Sequence, residues 1–138
     1  ELAEVADVSF KDGMTGKVFH NYLEIKMALV NSDAEAVQNT ANNLAESFGE
    51  ERAELKHLAQ QMASVEDIET QRAFFYEFTQ NVESFIVDAL AEGKIYKQYC
   101  PMAFDNQGAF WLADVEEIRN PYFGDRMLSC GEVQEVIQ

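Results

Sequence analysis

The amino-acid sequence predicts an all-α protein, an up-down-up-down four-helix bundle that carries a small irregular C-terminal cap. Three observations support this fold class: four successive segments have apolar residues at helical spacing, the connections between them are short, and capping residues or glycines stand at their ends. With 138 residues the chain is about one domain long. We divide it into a lead-in at residues 1–16, the bundle at residues 17–93 and the cap at residues 94–138.

The first two predicted helices form an antiparallel hairpin. Residues 15–30 place four large side chains on one face of a helix, namely Val18, Tyr22, Ile25 and Leu29. Ser32 and Glu35 then have the spacing of a capping box, so a second helix is expected to begin there and to run to Phe48. Gly49 is its natural stop. The short gap between the two helices indicates that they lie antiparallel.

The third and fourth predicted helices complete the bundle. Residues 51–63 form a shorter helix whose buried side is marked by Leu55, Leu58 and Met62. Ser64 and Asp67 repeat the capping-box spacing, and a fourth helix with many aromatic residues is expected from there to about Glu92. Gly93 ends it.

The helical period stops after Gly93. Residues 94–99 alternate weakly between apolar and polar and are a short strand or an extended segment. Residues 105–108 form a turn cluster, across which residues 109–112 could pair with residues 95–99 as a small hairpin. Residues 131–137 are a last short helix or an extended tail.

The composition excludes several functional classes. The net charge is −15 and the sequence pI is about 4.3, which disfavours nucleic acids and anionic membrane surfaces as partners. No apolar run approaches the roughly 20 residues of a membrane helix, so direct membrane insertion is not expected. The first ten residues are acidic and lack the apolar region of a signal peptide. Because the chain begins with Glu1, we expect a mature or trimmed chain.

The C-terminal third concentrates the rare residues: both cysteines, both prolines and the only tryptophan. Its motifs are YCPMA at 99–103, GAFWL at 108–112, IRNPYFG at 118–124, ML at 127–128 and CG at 130–131. Together with YLEIKMALV at 22–30 and QRAFF at 71–75, they resemble an uncharacterised bacterial domain family. The resemblance covers most of the chain from Phe19 onward. One departure is Ala113, where the family often has Ser.

That resemblance implies a cellular context but no established activity. Members of the family occur as small exported proteins of Gram-negative bacteria. The domain is also fused to the C-termini of periplasmic membrane fusion subunits of heavy-metal efflux pumps. The resemblance therefore implies a periplasmic or exported protein with a role in metal resistance, and efflux-pump proteins as partners.

Four sulfur-bearing residues form the candidate metal site: Cys100, Met102, Met127 and Cys130, with His20 as a fifth participant. Thiolate and thioether are soft ligands that suit monovalent copper, whereas zinc prefers thiolate and imidazole. Pro101 restrains the backbone between two of these ligands. The expected function is a non-enzymatic, copper-type metal-binding domain, with Cu(I) as the bound ion.

The alternative is a structural or interaction domain in which Cys100 and Cys130 form a disulfide and both methionines lie in the core. Trp111, Tyr122 and Phe123 then line a pocket or anchor the cap to the bundle. Glu54 and His57 match half of a di-iron motif, but His20 has Lys17 rather than an acid three residues before it, which rules that site out. Since the sequence shows no catalytic constellation, an enzyme is not expected.

Overall fold

The computed structural model describes residues 8–138. The predicted lead-in falls partly on residues 1–7, which lie outside the described residues. The helices are α1 Gly13–Val30, α2 Ala34–Glu46, α3 Ala53–Ser64, α4 Ile68–Asp88 and the short α5 Ala103–Asn106. The strands are β1 Ser9–Phe10, β2 Leu90–Glu92, β3 Ile95–Cys100, β4 Ala109–Ala113 and β5 Glu132–Ile137. Single 3-10 turns occur at Glu50–Arg52 and Gly124–Met127.

The predicted all-α class is wrong, because the chain folds into a mixed structure of helices and two antiparallel sheets. The larger sheet has three strands in the order β4-β3-β5, and β1 pairs with β2 in the smaller one. The hairpin of β3 and β4 is confirmed, with Tyr99 opposite Phe110. Residues 131–137 extend it by a third strand, since Tyr99 also lies opposite Glu132. The last predicted helix ends four residues early, because Leu90–Glu92 pairs with β1.

The four long helices pack in sequence, each against the next, and α1 also contacts α4. Tyr22 lies at the centre of this core with no exposed surface. Its hydroxyl bonds with the Thr79 hydroxyl of α4 at 2.8 Å and accepts the backbone N–H of Leu112 in β4 at 3.1 Å. Because one buried side chain joins two helices and the sheet, the bundle and the C-terminal region share a single core.

The caps of two helices differ from the predicted capping boxes. Asp33, not Ser32, caps α2, and its carboxylate accepts the N–H of Ala36. Asp67, not Ser64, caps α4 by accepting the N–H of Thr70. An Asp immediately before the first helical residue provides a charged acceptor for an otherwise unpaired N–H, which a more distant Ser cannot reach.

The three-stranded sheet contacts helix α4 on one face and the start of the loop of residues 114–131 on the other. On one face of β3, Lys97 forms an ion pair with Glu83 of α4 at 3.1 Å. The next residue points to the opposite face. There the Gln98 amide donates to the carbonyls of Val115 and Glu116 in the loop and accepts the indole N–H of Trp111. Hydrogen bonds from the buried Gln98 side chain therefore hold the start of the loop against the sheet.

No helix within residues 8–138 combines the length and the apolar character that crossing a lipid bilayer requires.

Candidate functional site

The structure brings the two cysteines together. Cys100 is the last residue of β3 and is fully buried, whereas Cys130 is half-buried and precedes β5. Because β3 and β5 are antiparallel, with Tyr99 opposite Glu132, the next position along β3, Cys100, lies opposite Gly131, the neighbour of Cys130. Both cysteines are free thiols, and the Cys100 thiol is close enough to Cys130 to raise the pKa of the Cys130 thiol.

The electrostatic environment keeps the Cys130 thiol protonated at neutral pH. Burial and the adjacent Cys100 thiol raise the pKa of Cys130 to about 11. The nearby backbone N–H of Met102 acts in the opposite direction and lowers the pKa of Cys130, since it stabilises the thiolate. A metal ion bound here must therefore displace protons.

Asn120 holds the backbone around Cys130 in place. Its side chain is fully buried, and its amide donates to the Cys130 carbonyl at 2.8 Å. The amide oxygen accepts the backbone N–H groups of Tyr122 at 2.7 Å and Phe123 at 3.1 Å. All three hydrogen bonds lie within the loop of residues 114–131. The Asn120 side chain therefore restrains the backbone that places Cys130 beside β3.

The two methionines of the candidate site are exposed, and the backbone of each lies next to Cys130. Met102 is 44% exposed and Met127 is 37% exposed, so neither is a core residue. The Met102 backbone N–H lies near the Cys130 sulfur, and the Met127 carbonyl accepts the Cys130 N–H at 3.1 Å. Their backbones are thus tied directly to Cys130, while their thioethers are accessible to solvent.

His20 lies in a different environment. Its Nε2 is 3.3 Å from a carboxylate oxygen of Glu24, one turn further along α1. It lines a surface cleft of about 390 Å³ together with residues of β1 and the start of α1. Gly124, at the start of the 3-10 turn that contains Met127, packs against the other end of α1, beside the Val30 carbonyl. Ten residues separate His20 from Val30, about 15 Å along a helix.

The aromatic residues of the C-terminal region anchor the loop to the core. Trp111 is fully buried and its ring centroid is 5.8 Å from that of Tyr122. The Tyr122 hydroxyl donates to the Phe110 carbonyl at 2.7 Å, and its ring packs on Phe75 of α4. Of the predicted pocket residues, Phe123 alone is partly exposed. These contacts correspond to the anchoring interpretation.

Arg72, which the sequence placed in the QRAFF motif but to which it gave no role, joins the bundle to the loop. Its side chain is only 3% exposed, and its guanidinium donates to the carbonyls of Pro121 at 2.8 Å and Leu29 at 2.9 Å. Glu69 provides the balancing carboxylate at 2.9 Å. The available signal was an arginine within the aromatic stripe of the fourth helix, where a charge needs partners.

The donor set limits what the site could hold. Within residues 8–138, no group of three or more His, Cys, Asp or Glu side chains is arranged to hold a metal ion. Sulfur is the only donor type that the four candidate residues share, and thiolate and thioether are soft donors that suit a monovalent ion such as Cu(I) better than zinc or magnesium.

Searches of curated proteins and of solved structures found no match to the chain. A family model described as "Protein of unknown function (DUF3347)" matches residues 18–92. The match includes the four long helices from Val18 onward and β2, and it ends before Cys100. Because it spans more than half of the 138 residues, the chain belongs to this family of unknown function.

Proposed function

We propose that this protein binds a soft monovalent metal ion, Cu(I) or Ag(I), through the thiolates of Cys100 and Cys130. Met102 and Met127 supply thioether ligands from the surface side. The observation that supports this proposal is the proximity of the two thiols, together with two exposed methionines, one whose carbonyl accepts the Cys130 N–H and one whose backbone N–H lies near the Cys130 sulfur. The role is binding rather than catalysis, and His20 is not needed for it.

The chemistry of the site suits this class of ion. Thiolate and thioether sulfur favour Cu(I) by softness, and a half-buried position limits competition from water. Each thiol must lose its proton when the metal binds. Because the pKa of Cys130 is about 11, the affinity should rise with pH throughout the neutral range.

We also propose that the protein works outside the cytoplasm beside a heavy-metal efflux system. The support for this is the likeness of motifs 99–103, 118–124 and 127–131 to exported domains that occur alone or fused to efflux-pump subunits. An oxidising compartment would convert a free thiol pair to a disulfide, so metal would have to arrive before oxidation.

The thiol contact also favours a second candidate function, a docking domain with a Cys100–Cys130 disulfide. Such a bond would join the end of β3 to the loop of residues 114–131 and close a segment of about 30 residues. In the chain-entropy model a loop of this length gains roughly 3 to 4 kcal/mol from closure. The oxidised protein would have no thiolate to offer a metal, and its partner would be an efflux adaptor or another protein.

A thiol count on freshly isolated protein separates the two candidates. Two free thiols that become unreactive when Cu(I) is added support the metal site. The docking domain is supported if no thiols react until a reductant is added. In that case partner binding should also be the same before and after reduction.

The metal site itself is tested by anaerobic titration of the reduced protein with Cu(I) against a competing chelator. We expect one ion per chain and a loss of at least tenfold in affinity for the Met102→Leu, Met127→Leu double variant. Leu has a similar volume, so the stability should change by less than about 1.5 kcal/mol. Met27→Leu is the matched control, because Met27 is 42% exposed on α1 and should have no effect. If the double variant binds as tightly as the parent, the methionines are not ligands.

A further inference from the structure

We propose that the outer edge of strand β5 is a docking site for an extended segment of a partner protein in which apolar and basic residues alternate. The partner segment would add a fourth strand to the three-stranded sheet through backbone hydrogen bonds. This surface is separate from the cysteine pair and does not depend on the proposed metal binding.

Strand β5 has the exposure that such docking requires. It lies at the end of the order β4-β3-β5 and pairs with β3 alone among the described residues. Every residue of β5 except Ile137 is exposed. The opposite edge strand, β4, is mostly buried and packs against α4. Only the β5 edge therefore offers accessible backbone donors and acceptors in this sheet.

A bulge in β5 places its two exposed valines on one face. Val133 lies opposite Gln98 and Val136 lies opposite Tyr96, with a register shift between these pairs. Gln98 and Tyr96 are two residues apart in a strand, so they point to the same face, and so do the valines opposite them. Val133 and Val136 are 36% and 43% exposed. They form a small apolar strip along the edge.

The other face of the same edge is acidic. Glu135 lies opposite Lys97 and Glu132 lies opposite Tyr99. The Lys97 ammonium is already bound by Glu83 at 3.1 Å and lies 4.3 Å from the centre of the Phe110 ring. Neither Glu132 nor Glu135 forms an ion pair within residues 8–138. Their carboxylates are available to lysine or arginine side chains.

The valine strip and the two glutamates together determine which kind of partner segment can bind at this edge. A strand added beside β5 would present alternate residues to the valine strip and to the two glutamates, so apolar residues must alternate with basic ones. A second copy of this chain carries the same two glutamates and a net charge of −15, which makes it a poor partner. Acidic side chains on the edge also disfavour unselective strand pairing.

A synthetic peptide of about eight residues in which valine and lysine alternate is the probe. We expect fluorescence anisotropy to show saturable binding at 0.15 M salt. We also expect amide hydrogen exchange of Glu132–Ile137 to slow when the peptide is present. A peptide of the same composition, with its lysines and valines in separate blocks, should bind at least tenfold more weakly.

The Val136→Lys variant should weaken binding of the alternating peptide about tenfold, because it places a positive charge in the apolar strip. Met27→Lys makes the same change at an exposed methionine on α1 and should alter binding by no more than about twofold. Equal binding of the two peptides, or unchanged exchange in β5, would show that attraction to the acidic protein is unspecific and would overturn the proposal. Protection of β5 that grows with protein concentration, without peptide, would overturn it in favour of a second copy.

Discussion

At the residue scale, Cys130 combines the strongest constraints in the candidate site. Its carbonyl accepts from Asn120, its N–H donates to Met127 and its sulfur contacts both the Cys100 thiol and the Met102 N–H. These contacts fix the position of the sulfur, and burial disfavours its ionised form. The residue is therefore well placed but unreactive until its proton is removed.

This environment predicts an unusual pH dependence for alkylation of Cys130. Only the thiolate reacts, so a group with a pKa of about 11 should react about tenfold faster for each pH unit, without levelling off, up to pH 10. The measurement is the rate of iodoacetamide modification, followed by peptide mass spectrometry. Cys100, which is fully buried, should be modified only after unfolding.

A short peptide that contains Cys130 serves as the unfolded reference, and its rate should level off near the ordinary thiol pKa of about 8.5. If the folded protein levels off at the same pH as the peptide, the thiol is not perturbed by burial and by Cys100.

At the element scale, the turn between β3 and β4 contains unfavourable backbone conformations. Phe104, Asp105 and Asn106 have φ values of 54°, 57° and 68°, in the left-handed region that favours glycine. The Phe104 ring packs 5.1 Å from Tyr122 and 5.7 Å from Tyr76, measured between centroids. Gly108 has φ 85° and lies under the Tyr99 ring, where no side chain fits. Aromatic packing thus holds the turn in a strained form.

This strain predicts that Asp105→Gly stabilises the protein, by about 0.5 kcal/mol. Asp105 is exposed, and relief of the left-handed conformation exceeds the added entropy of the unfolded chain. The matched control is Asp125→Gly, an exposed position in the 3-10 turn whose φ is not positive, where we expect a loss of up to about 1 kcal/mol. Urea denaturation measures both values, and shifts of the same sign would contradict the prediction.

At the scale of the whole molecule, the helical region and the C-terminal sheet depend on the same buried contacts. Tyr22 links α1 to Thr79 and to Leu112, and Tyr122 packs on both Phe75 and Trp111. Arg72 adds hydrogen bonds between α4, the end of α1 and the loop. These contacts make independent unfolding of either part costly.

We therefore predict one cooperative unfolding transition. Trp111 is the only tryptophan and reports on the sheet, while circular dichroism at 222 nm reports on the helices. The two urea curves should have the same midpoint. Tyr22→Phe should lower the free energy of unfolding by about 1 to 3 kcal/mol, because it leaves buried hydrogen-bonding groups unpaired, and both midpoints should move together to lower urea concentration. A fluorescence transition at a lower urea concentration than the circular dichroism transition would show that the sheet unfolds as a separate unit.

Local sequence patterns determined the four long helices. Residues such as Val18, Tyr22, Ile25 and Leu29 recur at helical spacing, and this information lies within one segment and needs no partner. The β3–β4 hairpin was predictable for the same reason, since its turn and its two strands are adjacent in the chain. The predicted capping residues were wrong by one position for Ser32, where Asp33 is the cap, and by three positions for Ser64, where Asp67 is the cap. Residue spacing alone does not locate a helix end to within one or two residues.

Tertiary structure alone decided the remaining features. The pairing of β5 with β3 and of β2 with β1 joins segments far apart in sequence, and Glu132–Ile137 had no local signal that separated strand from helix. The sequence predicted that Cys100 and Cys130 lie close together, but the pairing of β5 with β3 is what brings them there, because it places Gly131, the neighbour of Cys130, opposite Cys100. The exposure of Met102 and Met127 was equally out of reach of the sequence. A methionine has the same apolar character in a core or at a surface, and only the packing around it determines which position it occupies.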